Sequence, residues 1–383
     1  NKFKAEWENT FATLFGAPIS NIIAASESVA PYYYHKAKKG ATSTVVSVDI
    51  GGGTTDVLIV DKGEPKYLTS FRFAANTIFG DGYSYDSDSN GFVNKYKDII
   101  TNQLETNNLR GLKAVLKSVL DKRVSTDVIA FLFSLASNKE IKKEKVEINF
   151  AKMLADDNRG KYVVILFYVA IVYHIAKLMK AKGFDMPRHM TFSGNGSKVL
   201  NILSTNDATL VRLTKIIFEE IYAQSYSIDG LDIIRPANSK ESTCKGGIIL
   251  TPFQSQDYGE IKDMKTILIG TDNEKFADVH MTYNDVTEAD LDSVVDVIKE
   301  YIEFTFKLDK KFSFYDNFDV DRSIMNKVKD LCYRDIRTYL ENGLAIKKSE
   351  IAQDGADDNL EETLFFYPLV GIINAVVRNI YQM

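Results

Sequence analysis

The chain has 383 residues, of which 45% are hydrophobic and 26% charged, and its net charge is −5 at pH 7. This length is enough for two or three domains, and the composition is that of a globular protein rather than a disordered chain. An acidic protein lacks the strongly basic face that nucleic acid requires, so we expect no nucleic-acid partner. Cys244 and Cys332 are too few for a disulfide framework and form no C-x-x-C metal site.

The first predicted element is an amphipathic helix over residues 1–15, ended by Gly16. A short apolar strand at 22–25 follows and leads into a helix start made of small residues, which includes Glu27 and Ala30. On the residues alone, Glu27 is an ordinary first-turn glutamate that favours the helix N-terminus.

The segment 49–56, D-I-G-G-G-T-T-D, lies between two β-branched strands, 45–49 and 57–60, and a third strand is expected near 66–72. Its three adjacent glycines have no side chains, so a ligand can approach the backbone. At positive φ their N–H groups would converge into a nest that binds anions, most often phosphate. The hydroxyls of Thr54 and Thr55 add donors, while carboxylates at both ends of the loop suit a hydrated Mg²⁺ ion. The alternative is a plain hairpin with a flexible tip.

Residues 89–182 are predicted to be almost wholly helical, because apolar residues recur at helical spacing. The apolar run at 163–173 is shorter than the ~18–20 residues that a membrane-spanning helix needs. We therefore predict a core helix that leads into the next strand, and no transmembrane segment.

That next strand, at 190–192, ends in a turn of small residues at 193–198, and a helix is expected after it. A turn of this kind directs N–H groups and the positive end of a helix dipole towards a ligand. Asn195 occupies the middle of the turn, and asparagine tolerates the left-handed region better than most residues. Glycine-rich connections between strands and helices are common, so this turn alone does not identify a ligand.

A further helix is expected within 239–250, where Gly246 and Gly247 would permit close approach of another helix; a glycine C-cap is the alternative. The tail is predicted to combine strands, helices and an acidic loop. Its elements are strands at 265–270 and 279–283, a helix from the capping box at Thr287 to about Leu308, a helix at 321–342 ended by Gly343, an acidic loop at 353–362 and an apolar segment at 364–381.

The loop at 49–56 resembles the second phosphate loop of the actin-like ATPase superfamily, D-[IL]-G-G-G-T-[TF]-D-[VI]. This superfamily includes actin, the DnaK-type chaperones, FtsA, MreB, ParM and the sugar kinases, and the loop looks closest to the DnaK and FtsA branches. Three more segments match in the family's order. The segment around Glu27 resembles the first connecting segment, and 239–250 resembles the second connecting helix. The turn at 193–198 resembles the adenosine turn, [ST]-G-G-G-[SA], with Asn195 in place of the middle glycine.

The resemblance implies a role for each matching residue. Those that would bind the phosphates are Gly51, Gly52, Gly53, Thr54 and Thr55. Those that would bind adenosine are Gly194, Asn195, Gly196, Ser197 and Lys198. The catalytic set would be Asp49, Thr54, Asp56 and Glu27, with Asp49 holding Mg²⁺ through water, and the interdomain hinge would use Ala30, Gly246 and Gly247.

The implied fold class is α/β: an actin-like, ribonuclease-H-like ATPase lobe with a mixed sheet and flanking helices, a helical insertion and an α+β C-terminal extension. The expected domains are connecting helices of the first lobe at 1–42, a nucleotide-binding second lobe at 43–88 and 183–250, a helical inserted subdomain at 89–182 and the extension at 251–383. No D-x-G-[ST] first phosphate loop matches, since 268–272 lacks the leading aspartate. We therefore expect a fragment without its first lobe, which hydrolyses almost nothing alone.

The leading functional hypothesis is a nucleotide-binding module of the bacterial cytoplasm, with ATP and Mg²⁺ as cofactors. Nucleotide state would switch self-assembly or the binding of a protein partner, and the intact parent would be the ATPase. Two alternatives remain open: a small-molecule kinase of the sugar-kinase type, and a non-catalytic scaffold that keeps the fold.

Overall fold

The protein is an α/β structure built on one mixed sheet. The computed structural model describes residues 4–21, 29–39, 44–83, 90–227, 230–236, 239–249, 282–354, 360 and 362–383. The strands are β1 (Val45–Ile50), β2 (Thr55–Asp61), β3 (Glu64–Phe71), β4 (His189–Ser193) and β5 (Asp232–Ile234). Their order is β3-β2-β1-β4-β5. The first three strands form an antiparallel meander, whereas β4 is parallel to both β1 and β5.

Helices make up most of the remaining described residues. In chain order they are α1 (Lys4–Phe15), α2 (Ala30–Lys39), α3 (Ala75–Phe79), α4 (Gly91–Thr106), α5 (Arg110–Asp121), α6 (Ser125–Ser134), α7 (Lys139–Lys143), α8 (Phe150–Ala155), α9 (Lys161–Ala181), α10 (Leu200–Leu203), α11 (Asp207–Tyr222), α12 (Ser239–Ile249), α13 (Glu288–Phe312), α14 (Phe314–Phe318), α15 (Met325–Cys332), α16 (Ile336–Asp354) and α17 (Phe366–Asn379). The prediction that 89–182 is almost wholly helical is confirmed by α4–α9.

The two faces of the sheet are covered by different helices. Side chains alternate along a strand, so neighbouring residues point to opposite faces. On one face, Val45 and Leu58 pack against Tyr32 and Tyr33 of α2. The opposite face belongs to a much larger core, in which Phe192 of β4 contacts Tyr168 of α9 with ring centroids 5.7 Å apart.

Helix α9 is the centre of the larger core. It is the one described helix that is long and apolar enough to cross a membrane, but 94% of its apolar window is buried inside the protein. Phe167 of this helix stacks on Phe73 at a centroid distance of 5.0 Å, and the helix leads directly into β4. The prediction of a core helix is therefore confirmed.

The C-terminal helices belong to the same core as the sheet. Phe366 of α17 stacks on Phe71 of β3 with centroids 4.0 Å apart. The capping box predicted at the start of α13 is confirmed: the Thr287 side chain accepts from the Asp290 N–H, and the Asp290 side chain accepts from the Thr287 N–H. The core is thus continuous across the expected boundaries of the helical insertion and the C-terminal extension. These domain boundaries remain predictions.

The helix predicted over 321–342 with Gly343 as its cap is wrong. The chain breaks between α15 and α16, where Asp335 adopts a left-handed φ of 55°. Gly343 lies inside α16, and a Cβ atom there would come within 2.6 Å of the Tyr83 hydroxyl oxygen. The glycine therefore provides close packing and does not end the helix. The strand at 22–25, the strand at 265–270 and most of the acidic loop at 353–362 lie outside the described residues.

Candidate functional site

The glycine-rich loop is the tip of the β1–β2 hairpin. Asp49 pairs with Asp56, and Ile50 pairs with Thr55, so residues 51–54 form the connection. The Gly51 N–H donates to the Thr54 carbonyl across the turn at 2.8 Å. Gly52, Gly53 and Thr54 are exposed. Among the described residues, none accepts a hydrogen bond from the N–H groups of these three, so three consecutive donors at the tip are available to a ligand.

The loop is shaped differently from the expected nest. None of its glycines has a positive φ, so the prediction that a left-handed backbone gathers their N–H groups is wrong. The start of α3 holds the loop instead: the Ala75 N–H donates to the Gly51 carbonyl at 3.3 Å, and the Asn76 N–H donates to the Gly52 carbonyl at 2.8 Å. Two carbonyl groups of the loop are satisfied in this way, while the N–H groups of Gly52, Gly53 and Thr54 have no acceptor among the described residues.

Thr55 does not offer its hydroxyl to a ligand at the loop. This side chain is fully buried and donates to the Phe73 carbonyl at 2.6 Å. The cause is the alternation of side chains along the strand. Thr55 points to the face of β2 that belongs to the larger core, whereas its neighbour Asp56 points to the opposite face. The hydroxyl predicted as a phosphate donor is therefore a structural group, and Thr54 is the exposed threonine of the pair.

The turn after β4 lies directly against this hairpin. A Cβ atom on Gly194 would lie 2.2 Å from the Ile50 carbonyl oxygen, and one on Gly196 would lie 2.1 Å from the Gly51 carbonyl oxygen. Gly194 also adopts a φ of +81°, which L-residues rarely adopt. Glycine is required at both positions, since any side chain would push the two turns apart. The structure thus brings together two segments that are far apart in the sequence.

Asn195 sits in this turn without strain. Its φ of −69° and ψ of −28° are right-handed helical, so the left-handed conformation expected at this position belongs to Gly194 instead. A 3₁₀ turn, Gly196–Val199, leads into the four-residue α10, so the helix expected after the turn is present. The Ser197 hydroxyl donates back to the Gly194 carbonyl at 2.8 Å, and Lys198 is exposed.

A row of polar side chains crosses the sheet beside the loop. Asp49 lies opposite Asp56 on one side and Ser193 on the other, and the Ser193 hydroxyl donates to Asp49 Oδ2 at 3.1 Å. Directly opposed residues share a face, so the two carboxylates lie on the same face of the sheet. No group of three or more His, Cys, Asp or Glu residues suited to a metal occurs in the described part of the chain. A Mg²⁺ ion here would therefore need water and ligand oxygens as well.

The predicted hinge residues lie at the contact between α2 and α12. A Cβ atom on Gly246 would lie only 1.7 Å from the Ala30 carbonyl oxygen, while one on Gly247 would meet no heavy atom within 4 Å. Gly246 is thus the residue that lets the two helices touch, and Gly247 faces open space. Glu27 lies outside the described residues.

Two residues at this site were not predicted. Ser193 contacts Asp49 because β1 and β4 are parallel and in register. Asn76 lies beside the loop, with its Oδ1 atom 3.6 Å from the position of a Cβ on Gly52. The small-residue turn around Ser193 was a usable signal, whereas nothing in the local sequence marks Asn76.

The site therefore combines two glycine-dependent turns, unused N–H donors and a facing pair of carboxylates. We compared the chain with models of known protein families and with curated proteins, and neither comparison gives a match.

Proposed function

We propose that the chain binds ATP together with Mg²⁺ at the edge of the sheet where the loop at 51–54 meets the turn at 193–198. The observation that carries this proposal is the contact of Gly194 and Gly196 with the backbone of Ile50 and Gly51. In the actin-like ATPases that the sequence resembles, the matching turns hold the two ends of one nucleotide.

The hairpin tip fits the phosphate end of such a ligand. Its three consecutive N–H groups are donors without a described acceptor, and backbone donors of this kind bind phosphate oxygens. The space beyond Gly53 is open, because a Cβ there meets no atom within 4 Å. Asp49 and Asp56 face each other beside the tip, and carboxylate oxygens suit a hydrated Mg²⁺ that phosphate oxygens and water also hold.

The turn after β4 would take the adenosine end. Its glycines bring the turn against the hairpin, and Lys198 supplies an exposed cation in it. The nucleotide would then act as a switch, with the helix contact between Ala30 and Gly246 as the point about which the flanking lobes change angle. A ligand that prefers one angle by a few kcal/mol is enough to shift such an equilibrium. The partner controlled by the switch would be a second copy or another protein.

A Gly53→Val substitution is expected to weaken binding of Mg–ATP without unfolding the protein. The added Cβ atom meets no heavy atom within 4 Å and the φ of residue 53 is not positive, so stability should change little. The same side chain would occupy the space where phosphate approaches the N–H groups. Isothermal titration calorimetry with Mg–ATP should therefore show at least a tenfold loss of affinity, equal to about 1.4 kcal/mol or more.

The matched control is Gly111→Val. Gly111 is an exposed glycine of α5 whose Cβ would also meet nothing within 4 Å, and it lies in the helical region rather than in the loop. Wild-type affinity in this control together with a loss in Gly53→Val would support the site. Equal affinities in the wild-type protein and both variants would refute it.

The switch itself requires a second measurement. Analytical ultracentrifugation with Mg–ATP and with Mg–ADP should give different sedimentation coefficients or different degrees of association. Identical sedimentation at all concentrations, in a protein that binds ATP, would leave nucleotide binding intact and refute the assembly switch.

A further inference from the structure

A cavity lies between α16 and α17. It has a volume of about 190 Å³, and Tyr83, Tyr339, Asn374 and Arg378 are among the residues that line it. Since one water molecule occupies roughly 30 Å³ in the liquid, the space is about six waters in size. That volume suits a small organic molecule and is far too small for a nucleotide.

The walls of this cavity are held in place by glycines. A Cβ on Gly371 would come within 2.3 Å of the Tyr339 ring, so the ring lies directly on the backbone of α17. The Tyr83 hydroxyl donates to the Tyr367 carbonyl at 2.7 Å and packs against Gly343. Both aromatic walls are therefore fixed before any ligand arrives, which lowers the cost of binding.

A buried amide at this cavity lacks a partner. Asn374 is 6% exposed, and its Nδ2 atom is buried without a hydrogen-bond acceptor among the described residues. An unsatisfied buried amide costs about 1–3 kcal/mol. The Nδ2 atom lies on the side of Gly82, where a Cβ would be 2.9 Å from it, and rotation of the carboxamide by half a turn would bring the NH₂ group to the opposite side. A ligand oxygen is the natural partner for that NH₂ group.

Arg378 places a positive charge on the same side of the cavity as Asn374. It follows Asn374 by one helical turn, so the two side chains lie on one face of α17. Arg378 is exposed and forms no ion pair with a carboxylate in the described part of the chain. A guanidinium binds a carboxylate through two parallel hydrogen bonds, and this geometry favours a planar anion.

We propose that this cavity binds a small planar carboxylate. The Arg378 guanidinium and the Asn374 amide hold the carboxylate group, and the flat body of the ligand packs against the Tyr339 ring. The site is separate from the nucleotide site and does not depend on it.

Sodium benzoate is the probe, with neutral benzamide as its isostere, and binding is measured by saturation-transfer difference NMR on the full chain. We expect benzoate to bind with a submillimolar Kd and benzamide at least tenfold more weakly. Arg378→Gln should weaken benzoate at least tenfold, while Arg110→Gln, an exposed arginine of α5, should leave it unchanged. Ala375→Leu, which fills the cavity from α17, should remove both signals.

Three outcomes would overturn the proposal. These are no saturation transfer from the wild-type protein, equal benzoate affinity in the wild-type protein and Arg378→Gln, and binding that survives Ala375→Leu. Each variant is first checked for a wild-type circular dichroism spectrum, and Arg378→Gln changes only an exposed side chain.

Discussion

Substituting alanine for Gly246 is expected to destabilise the protein by about 2–3 kcal/mol, whereas the same change at Gly247 should stabilise it slightly. The added methyl group at position 246 would lie 1.7 Å from the Ala30 carbonyl oxygen. This oxygen belongs to the backbone at the start of α2, so no side chain can rotate away to relieve the overlap. The two helices would have to separate, and the face of the sheet that α2 covers would lose packing.

Gly247 is the matched control for this prediction. It is exposed, and its Cβ position has no heavy atom within 4 Å. Alanine is a better helix former than glycine, which should contribute about 0.5 kcal/mol towards the end of α12. Urea denaturation of both variants gives the two changes in the free energy of unfolding. Changes of the same sign at the two positions would contradict the close approach of α2 and α12.

The second large effect is a loss of stability in acid that depends on His174. This residue of α9 is 2% exposed, its ring stacks on Phe365 with centroids 5.5 Å apart, and its Nε2 atom has no hydrogen-bond partner among the described residues. Burial without a partner disfavours the charged imidazolium and lowers the pKa of His174 to about 3.

The direction of the pH effect follows from where the proton binds. A histidine in the unfolded chain has a pKa of about 6.5, so between pH ~6.5 and ~3 the unfolded state holds a proton that the folded state lacks. The free energy of unfolding therefore falls as the pH drops through this window, by as much as ~5 kcal/mol in total. Above that window the contribution of His174 no longer changes with pH.

His174→Leu should remove this part of the pH dependence and leave stability at pH 7 unchanged or higher, because the unsatisfied ring nitrogen is gone. Denaturant titrations at several pH values between 4 and 7 measure the effect. Met179→Leu is the control, since it replaces another buried residue of α9 and has no titratable group. If His174→Leu loses stability in acid as steeply as Met179→Leu, the buried neutral histidine is not the cause.

Features whose determinants are local could be predicted from the sequence. The capping box at Thr287 uses contacts three residues apart, and the hairpin at 51–54 lies between two β-branched runs that pair with each other. The break at Asp335 could not be predicted, because no glycine or proline marks it and the apolar spacing continues across it. Gly343 looked like a helix end, yet it is retained inside α16 because Tyr83 and Tyr367 fill the space beside it.

The candidate site likewise combines local features that could be predicted with long-range contacts that could not. Its two glycine turns were recognised separately, but their contact depends on the register of β1 against β4, which no local pattern determines. The orientation of Thr55 follows from the strand pleat, since it shares its face with Val57 and Ile59 of the larger core. The positive φ falls on Gly194, where a side chain would also overlap the Ile50 carbonyl, rather than on the triple glycine.

The strand order also has a consequence for how the protein folds. β1 meets β2 through a connection of a few residues, but it meets β4 through contacts such as that between Ser47 and Thr191, which are 144 residues apart. Closing so long a loop costs chain entropy before any contact compensates for it, and topologies of high contact order fold slowly. The hairpin should therefore form early and β4 should dock late. Kinetically, the candidate site is completed only when β4 pairs with β1, so ligand binding during refolding would report that pairing rather than the formation of the hairpin.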